Sequence, residues 1–305
     1  MSTVALSQSA PLRFRVAERT IWTARRRLHR VGLTLDDLLD DRAPPLPDLD
    51  RADGYDLRSW PDRLVDELIA THPDMLPLIR QRYPRHFLRL DDADAYWRGF
   101  SGKTRSTLRR KRARWAEAAG GLDLRGYHQP DQIATFHDIA GALSRLTYQD
   151  RLLGAGLPTG SVALAEMTAQ AQVGAVRAYI LYYRGRPASY LHLPIDDGRA
   201  VYAHLGYDPA VADGSPGTVL LAEVLDGLFA DPALRLLDFT EGDGAHKRLF
   251  GRESVACIDL LLLRRGWRNR ALIAGLDRFD RVVATAGDLI ERWGVKPTMR
   301  KLLRR

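Results

Sequence analysis

Apolar residues at helical spacing mark residues 130–147, where Ile133, Phe136, Ala140, Leu143 and Leu146 share one face and Pro130 suits the first turn. Residues 122–127 alternate as a strand ahead of this helix, and residues 161–170 predict a second helix behind the loop Gly154-Ala-Gly-Leu-Pro158. Three strands follow at 175–183, 187–194 and 199–206, with turns at Arg184-Gly-Arg186 and Asp196-Asp-Gly198. In the third, Val201, Ala203 and Leu205 fall on one face. Asp213-Gly-Ser-Pro-Gly217 breaks the chain before a helix that runs to about residue 229. Residues 235–239 read as a short apolar strand, 242–250 as a polar loop with one helical turn, 255–263 as a long apolar strand and 268–293 as a helix. This order predicts a mixed α/β (α+β) sheet with helices on both faces. The two strands joined through the helix after Gly217 should be parallel, because such a crossover needs a dozen or more residues.

The first part of the chain is less regular. Residues 12–16 and 19–24 look strand-like, and Arg42-Ala-Pro-Pro-Leu-Pro-Asp48 is a rigid turn or linker. Residues 61–70 predict a helix and 75–83 a further short one. Residues 91–121 are helical, with a break at Phe100-Ser-Gly102. The expected organisation is an accessory region over residues 1–95, a main domain over 96–264 and a basic helical segment over 265–305.

Composition adds limits. The 305 residues are 45% hydrophobic and 28% charged, which suits a globular chain with a sizeable core. No stretch approaches the ~20 apolar residues of a membrane span, and residues 1–11 carry no apolar run behind a basic cluster. Cys257 is the only cysteine, so no intrachain disulfide or Cys-rich metal site is expected. The expected location is cytoplasmic. A net charge of +8 favours anionic partners. Lys103, Arg105, Arg109, Arg110, Lys111, Arg112 and Arg114 lie within thirteen residues that contain no acid, and residues 264–305 hold twelve Lys/Arg against four Asp/Glu. Either run also fits a solvated helix face. The second, with Trp267 and Trp293, matches an anionic membrane surface, which would place the protein at the inner face of the membrane.

Two loops carry candidate chemistry. In the segment from Gly206-Tyr207 to Thr218, Ser215 suits an N-cap and Pro216 the first helical position. Backbone N–H groups from Gly214 to Thr218 would then face a phosphate at the helix start; the alternative is an ordinary capped helix. The loop after the 235–239 strand holds Glu241, Asp243, His246 and Lys247. Glu241, then Asp243, suit a general base, His246 an acid, base or substrate contact, and Lys247 an oxyanion partner; the alternative is a charged surface loop. His192 and His204 lie on neighbouring strands, as core histidines or substrate contacts. Tyr148, Gln149 and Arg151 end the first long helix and suit an acceptor, with helix-end capping by Arg151 as the alternative. Ser144, His137 and Asp138 lack a nucleophile elbow, and no histidine spacing fits a zinc site.

Together these segments resemble the GNAT superfamily. The residues that carry the resemblance are Ser101-Gly-Lys-Thr-Arg-Ser-Thr-Leu-Arg-Arg-Lys111, Tyr207-Asp-Pro209 with Ser215-Pro-Gly217, and Asp238-Phe239 with Gly242 and Lys247. They are most similar to the CelD-like branch associated with cellulose and exopolysaccharide synthesis, which is related to Fem-type peptidyltransferases. The resemblance covers roughly residues 96–264. It implies a splayed central sheet, an acyl donor (acetyl-CoA or another acyl-CoA) in the gap and direct transfer without a covalent enzyme intermediate. Gly206, Tyr207, Gly214, Ser215, Pro216, Gly217 and Thr218 become cofactor-binding, and no metal is implied. The acceptor would be an amine or hydroxyl on an envelope polysaccharide, sugar or lipid precursor. The family's usual cofactor loop is altered here, Ser-Pro following Gly214, and His246 stands where a Tyr is usual. The first 95 residues would be an accessory region or a degenerate GNAT-like half. Two other readings are an aminoacyl-tRNA-dependent transferase of Fem type, with the basic helix on tRNA phosphates, and a non-catalytic membrane- or nucleic-acid-binding protein on the same scaffold.

Overall fold

In a computed structural model, the described residues are 3–16, 19–146, 156–276 and 278, with side chains from residue 25 onward. In chain order the elements are β1 (Thr3–Val16), β2 (Arg19–Gly32), α1 (Leu35–Leu39), β3 (Gly54–Pro61), α2 (Val65–Thr71), β4 (Met75–Arg89), α3 (Ala93–Arg98), α4 (Gly102–Ala119), β5 (Asp123–Gly126) and α5 (Pro130–Leu146). They continue as α6 (Ser161–Gln172), β6 (Val176–Tyr183), β7 (Arg186–Asp196), β8 (Arg199–Val201), β9 (His204–Tyr207), α7 (Pro216–Phe229), β10 (Leu236–Asp238), α8 (Ala245–Phe250) and β11 (Glu253–Arg264). A last helix, α9, covers residues 267–276.

The chain forms two compact units, one of residues 1–84 with 255–305 and one of residues 85–254. In the first, the strand order is β1, β2, β3, β11, β4. The β1–β2 hairpin is antiparallel, β2 and β3 are parallel through the α1 crossover, and β11 runs antiparallel to β3. A buried Asp259 on β11 sits opposite a bulge in β3 and accepts from the Ser59 N–H, the Tyr83 hydroxyl, Gln81 and Arg58. The segment 75–83, expected to be helical, is instead the start of β4. Met75 to Tyr83 alternates at a period of two around Pro77, and pairing in the sheet overrides the local helical preference.

The second unit has the order β4, β10, β8, β7, β6, β5, with β9 on β7. Both expected hairpin turns are present. Arg184 and Gly185, then Asp197 and Gly198, have positive φ at both central positions, the twist that suits a two-residue hairpin. As expected, β8 and β10 are parallel across the α7 crossover. Packed on this sheet, α7 buries Val219, Leu220, Leu221, Val224, Leu225 and Leu228 against Leu191, Leu193, Leu237 and Phe239. Ile133, Phe136 and Ala140 of α5 cover Val176, Ala178 and Ile180 of β6.

One irregularity shapes this sheet. Ile195 pairs with Ala200, but His192 pairs with His204, so Val201, Tyr202 and Ala203 stand opposite only Leu193 and Pro194. The extra residue is a bulge, and Pro194 has no N–H to offer the ladder there. Beyond it β9 follows β7 alone, while β10 ends at Asp238. The sheet therefore forks after Val201. The other arm is held by the buried Asp238, which takes two hydrogen bonds from Arg85, at 3.1 and 2.6 Å, and one from the Thr240 N–H at 2.8 Å. The Thr240 bond closes a turn in which Thr240 has φ of 61°.

Replacing Arg85 by Met leaves the buried Asp238 carboxylate with the Thr240 N–H and with Arg199, whose Nε is 3.9 Å away. The expected loss is about 3–5 kcal/mol in urea unfolding of the whole chain. Arg85→Met with Asp238→Leu should recover part of it, because no buried charge is then left alone. Equal losses in the single and double variants would mean that the ion pair does not hold the turn.

Candidate active site

A cavity of about 610 Å³ opens at the fork. Tyr202, Ala203, His204, Leu205 and Tyr207 line one wall, from the bulge and β9. Thr240 and Gly244 to Lys247 line the other, and Ser215 to Thr218 at the start of α7 close the end. The resemblance implied an acyl donor in such a gap, and of the residues that carried it Tyr207, Ser215, Pro216, Gly217 and Lys247 line this cavity.

The start of α7 is tighter than the sequence implied. Ser215 occupies the left-handed region, φ 54°, and makes no side-chain cap. Pro216 has no N–H, and the Thr218 N–H is taken by the Ser215 carbonyl at 3.0 Å. The Gly217 N–H is left as the first-turn donor, at the positive end of a fourteen-residue helix. A side chain on Gly217 would come within 2.9 Å of Leu205, so the glycine also lets β9 approach. Gly214 packs on Trp115, and Gly206 is buried beneath Tyr190.

Between the two walls the Tyr202 hydroxyl and His246 Nδ1 are 3.0 Å apart. Burial above all, and then the Lys111 charge on α4, lower the His246 pKa to about 4. The Gly217 backbone pulls the other way, although no well-formed hydrogen bond reaches Nε2. The imidazole is therefore neutral at pH 7. Burial raises the Tyr202 pKa, so its proton is retained. Lys247 donates to Thr240 Oγ1 at 3.3 Å and to the Glu241 carbonyl. Burial lowers its pKa, and Asp238, Glu241 and Asp243 oppose that.

Of the other expected site residues, Glu241 is exposed. The Asp243 carboxylate joins His86 Nε2, at 3.0 Å, to Arg248, at 2.7 Å, and these bonds hold its pKa below the usual range. The structure thus brings His246 and Lys247 to the cavity and engages Asp243 beside it. His204 lines the cavity, with His192 stacked behind it at 5.8 Å. Tyr148, Gln149 and Arg151 lie outside the described residues. Sequence reasoning missed Tyr202, Tyr190, Thr240 and Lys111. Only Lys111 left a signal, within the basic run; Tyr202 reads as one residue of an ordinary strand until the bulge turns it inward. Among the described residues, no group of three His, Cys, Asp or Glu could hold a metal.

Residues 102–248 match the family model described as an acetyltransferase (GNAT) domain. This segment has the GNAT fold. No curated protein matches the chain in sequence. Among solved structures, a conserved protein of unknown function from Bacteroides thetaiotaomicron aligns over 78% of this chain and 82% of its own, at 13% identity and a TM-score of 0.51. The C-terminal DUF2156 domain of an Agrobacterium fabrum protein described as a lysylphosphatidylglycerol synthetase covers 92% and 89%, at 11% and 0.51. L-PGS from Bacillus licheniformis covers 87% and 88%, at 12% and 0.50. At such identities the likeness is one of fold.

The buried histidines of the GNAT domain make a pH prediction. Burial lowers the His192 pKa to about 3, and neither of its ring nitrogens has a hydrogen-bond partner. An unfolded histidine titrates near 6.5. As pH falls below about 6.5 the unfolded chain binds protons that the native chain refuses. Stability is therefore full above that pH and declines toward pH 3–4, by roughly 1.4 kcal/mol for each tenfold difference in proton affinity between the native and unfolded chains. His192→Leu gives up no hydrogen bond and should flatten this decline in urea titrations at several pH values. An unchanged slope would move the acid sensitivity to other groups.

Proposed function

We propose that the chain is an acyltransferase that moves an acyl group, acetyl as the simplest, from acyl-CoA directly to an amine or hydroxyl. The supporting observation is convergence: a helix start, a neutral Tyr202–His246 pair and Lys247 line one cavity at the fork of a GNAT sheet. The donor fits this cavity through the Gly217 N–H and the α7 dipole, and Lys111 adds positive charge nearby. Bound there, the thioester supplies the carbonyl to be attacked and the sulfur that leaves. Lys247 stabilises the negative charge that grows on the acyl oxygen, more in the transition state than in the ground state. The Tyr202–His246 pair takes the proton lost by the acceptor nitrogen or oxygen and returns one to the sulfur, so its own proton count is unchanged. Glu241 and Asp243, the bases that the sequence favours, act instead on Lys247, whose charge they support. His204, kept neutral by burial, faces the acceptor. Its resemblance to the CelD-like branch supports an acceptor among envelope polysaccharides, sugars or lipid precursors.

A second reading, an aminoacyl-tRNA donor, rests on α4. Lys103, Arg110 and Arg114 are exposed and lie on one face of this helix. Two measurements separate the readings. Acetyl-CoA at 100 times its Kd should stabilise the protein by about 2.7 kcal/mol. No stabilisation by CoA or acetyl-CoA, with salt-dependent binding of aminoacyl-tRNA, would favour the second reading.

With the acceptor found by screening, Lys247→Ala should lower kcat by about 10²–10³ while CoA still binds. Near-normal turnover would take the oxyanion role away from Lys247. Tyr202→Phe should lower kcat with little change in donor affinity. The pH–rate profile should carry no acid limb from His246 above about pH 5, because its imidazole titrates near 4. A limb near 6.5 that disappears in His246→Phe would overturn the neutral-pair mechanism.

A further inference from the structure

The first unit carries a surface that acyl transfer does not use. Trp267, the first residue of α9, is 76% exposed. The Arg268 guanidinium lies 5.2 Å over its ring. Arg264, Arg265 and Arg270 around it are exposed, as are Arg25 and Arg27 on β2. Arg26 Nε joins the two elements by donating to Asn269 Oδ1 at 2.9 Å.

Three features set this cluster apart from a solvated helix face. The first is that its arginines make no ion pair among the described residues. Arg264 donates to the Ala52 and Asp50 carbonyls and Arg265 to the Pro73 carbonyl. Among the described residues no carboxylate pairs with Arg264, Arg265, Arg268 or Arg270. Asp50 and Asp74 border the patch through backbone carbonyls, and the Asp53 carboxylate is taken by the Arg27 N–H. The second is that the arginines crowd the start of α9, where the helix dipole repels cations. Helix stability does not explain them there. The third is that Leu272 and Leu276 fix α9 on Leu28, Leu261 and Leu263, which settles the face presented outward. A large aromatic ring is thus held in solvent under Arg268, beside Arg264 and Arg265, which are anchored on backbone carbonyls.

We infer that this face docks on an anionic lipid surface, with Trp267 at the headgroup level and the arginines on lipid phosphates. An indole flanked by cations suits the boundary between headgroups and acyl chains. No described helix is long and apolar enough to cross a bilayer, so the contact lies on the membrane surface. A nucleic acid would also attract the charge, but a lone aromatic amid clustered arginines gains more from a bilayer interface than from a phosphate backbone. The sequence continues the charge with Arg281, Arg292, Lys296, Arg300, Lys301, Arg304 and Arg305.

The test is flotation of the full chain with phosphatidylcholine vesicles, with and without phosphatidylglycerol, at low and physiological salt. Binding should need the anionic lipid and weaken with salt. Arg265→Glu with Arg268→Glu should lower the partition coefficient about tenfold or more, and Trp267→Ala severalfold at unchanged charge. All three positions are exposed, so circular dichroism should report an unchanged fold. Binding to both vesicle types alike, binding to neither, or an unaltered affinity in these variants would overturn the proposal. So would an RNA duplex that binds through the same arginines and displaces the protein from vesicles.

Discussion

Asp238 is the charge around which the second unit arranges its cavity. A carboxylate shut away from water is tolerated only where its oxygens are filled. Arg85 fills them from β4 and the Thr240 N–H from the next turn, while Arg199 approaches from β8. These contacts fix where β10 stops and turn Thr240 toward the cavity. They also aim α8, whose first turn presents His246 and Lys247. If that carboxylate were lost, His246 and Lys247 would still be in the sequence but would no longer be held to one cavity wall.

The other arm of the fork depends on a single extra residue. A regular β8–β9 strand would keep pairing with β10, and Tyr202 would be one more side chain on a sheet face. The bulge at Val201 to Ala203 instead separates β9 from β10 and brings the Tyr202 hydroxyl to His246. Close packing then sets the chemistry. Burial keeps the imidazole unprotonated and the phenol protonated at neutral pH. Lys247 is the opposite case: burial works against its charge, and three carboxylates around the loop work for it.

Much of this was legible in the chain. The order of elements from β5 to β11 followed from periodicity and turn residues, because each is long enough to show its repeat or is bounded by glycine and proline. The helix start at Ser215-Pro-Gly217 and the loop at Glu241 to Lys247 were visible as breaks loaded with polar groups. What escaped depends on partners distant in sequence. Residues 75–83 have helical composition, but the sheet makes them a strand. Residues 54–61 form a mostly buried strand, but Asp56, Arg58 and Ser59 interrupt its apolar positions and a bulge breaks its period. Asp238 read as part of a motif, yet its role comes from Arg85, 153 residues away. Tyr202 depends on a bulge that no local pattern announces.

The helix start shows how motif and mechanism can separate. Ser-Pro-Gly reads as a phosphate cradle because a helix start usually offers several free N–H groups. Here proline removes one and a tightened first turn uses another, leaving Gly217. A lone N–H and about half an elementary charge from the dipole make a modest anion site. Further attraction for an anion would have to come from side chains, and α4 is the neighbouring helix that carries cations. Trp115 packs this helix beside Gly214, Arg112 ties it to Glu223 of α7 at 2.7 Å, and Lys111 is close enough to bear on His246. Lys111 thus brings a cationic side chain toward a helix start that lacks a backbone nest. A flexible side-chain cation holds a phosphate less rigidly than a nest of N–H groups but tolerates anions of different shape. The GNAT fold alone therefore does not choose between a coenzyme and a longer polyanion.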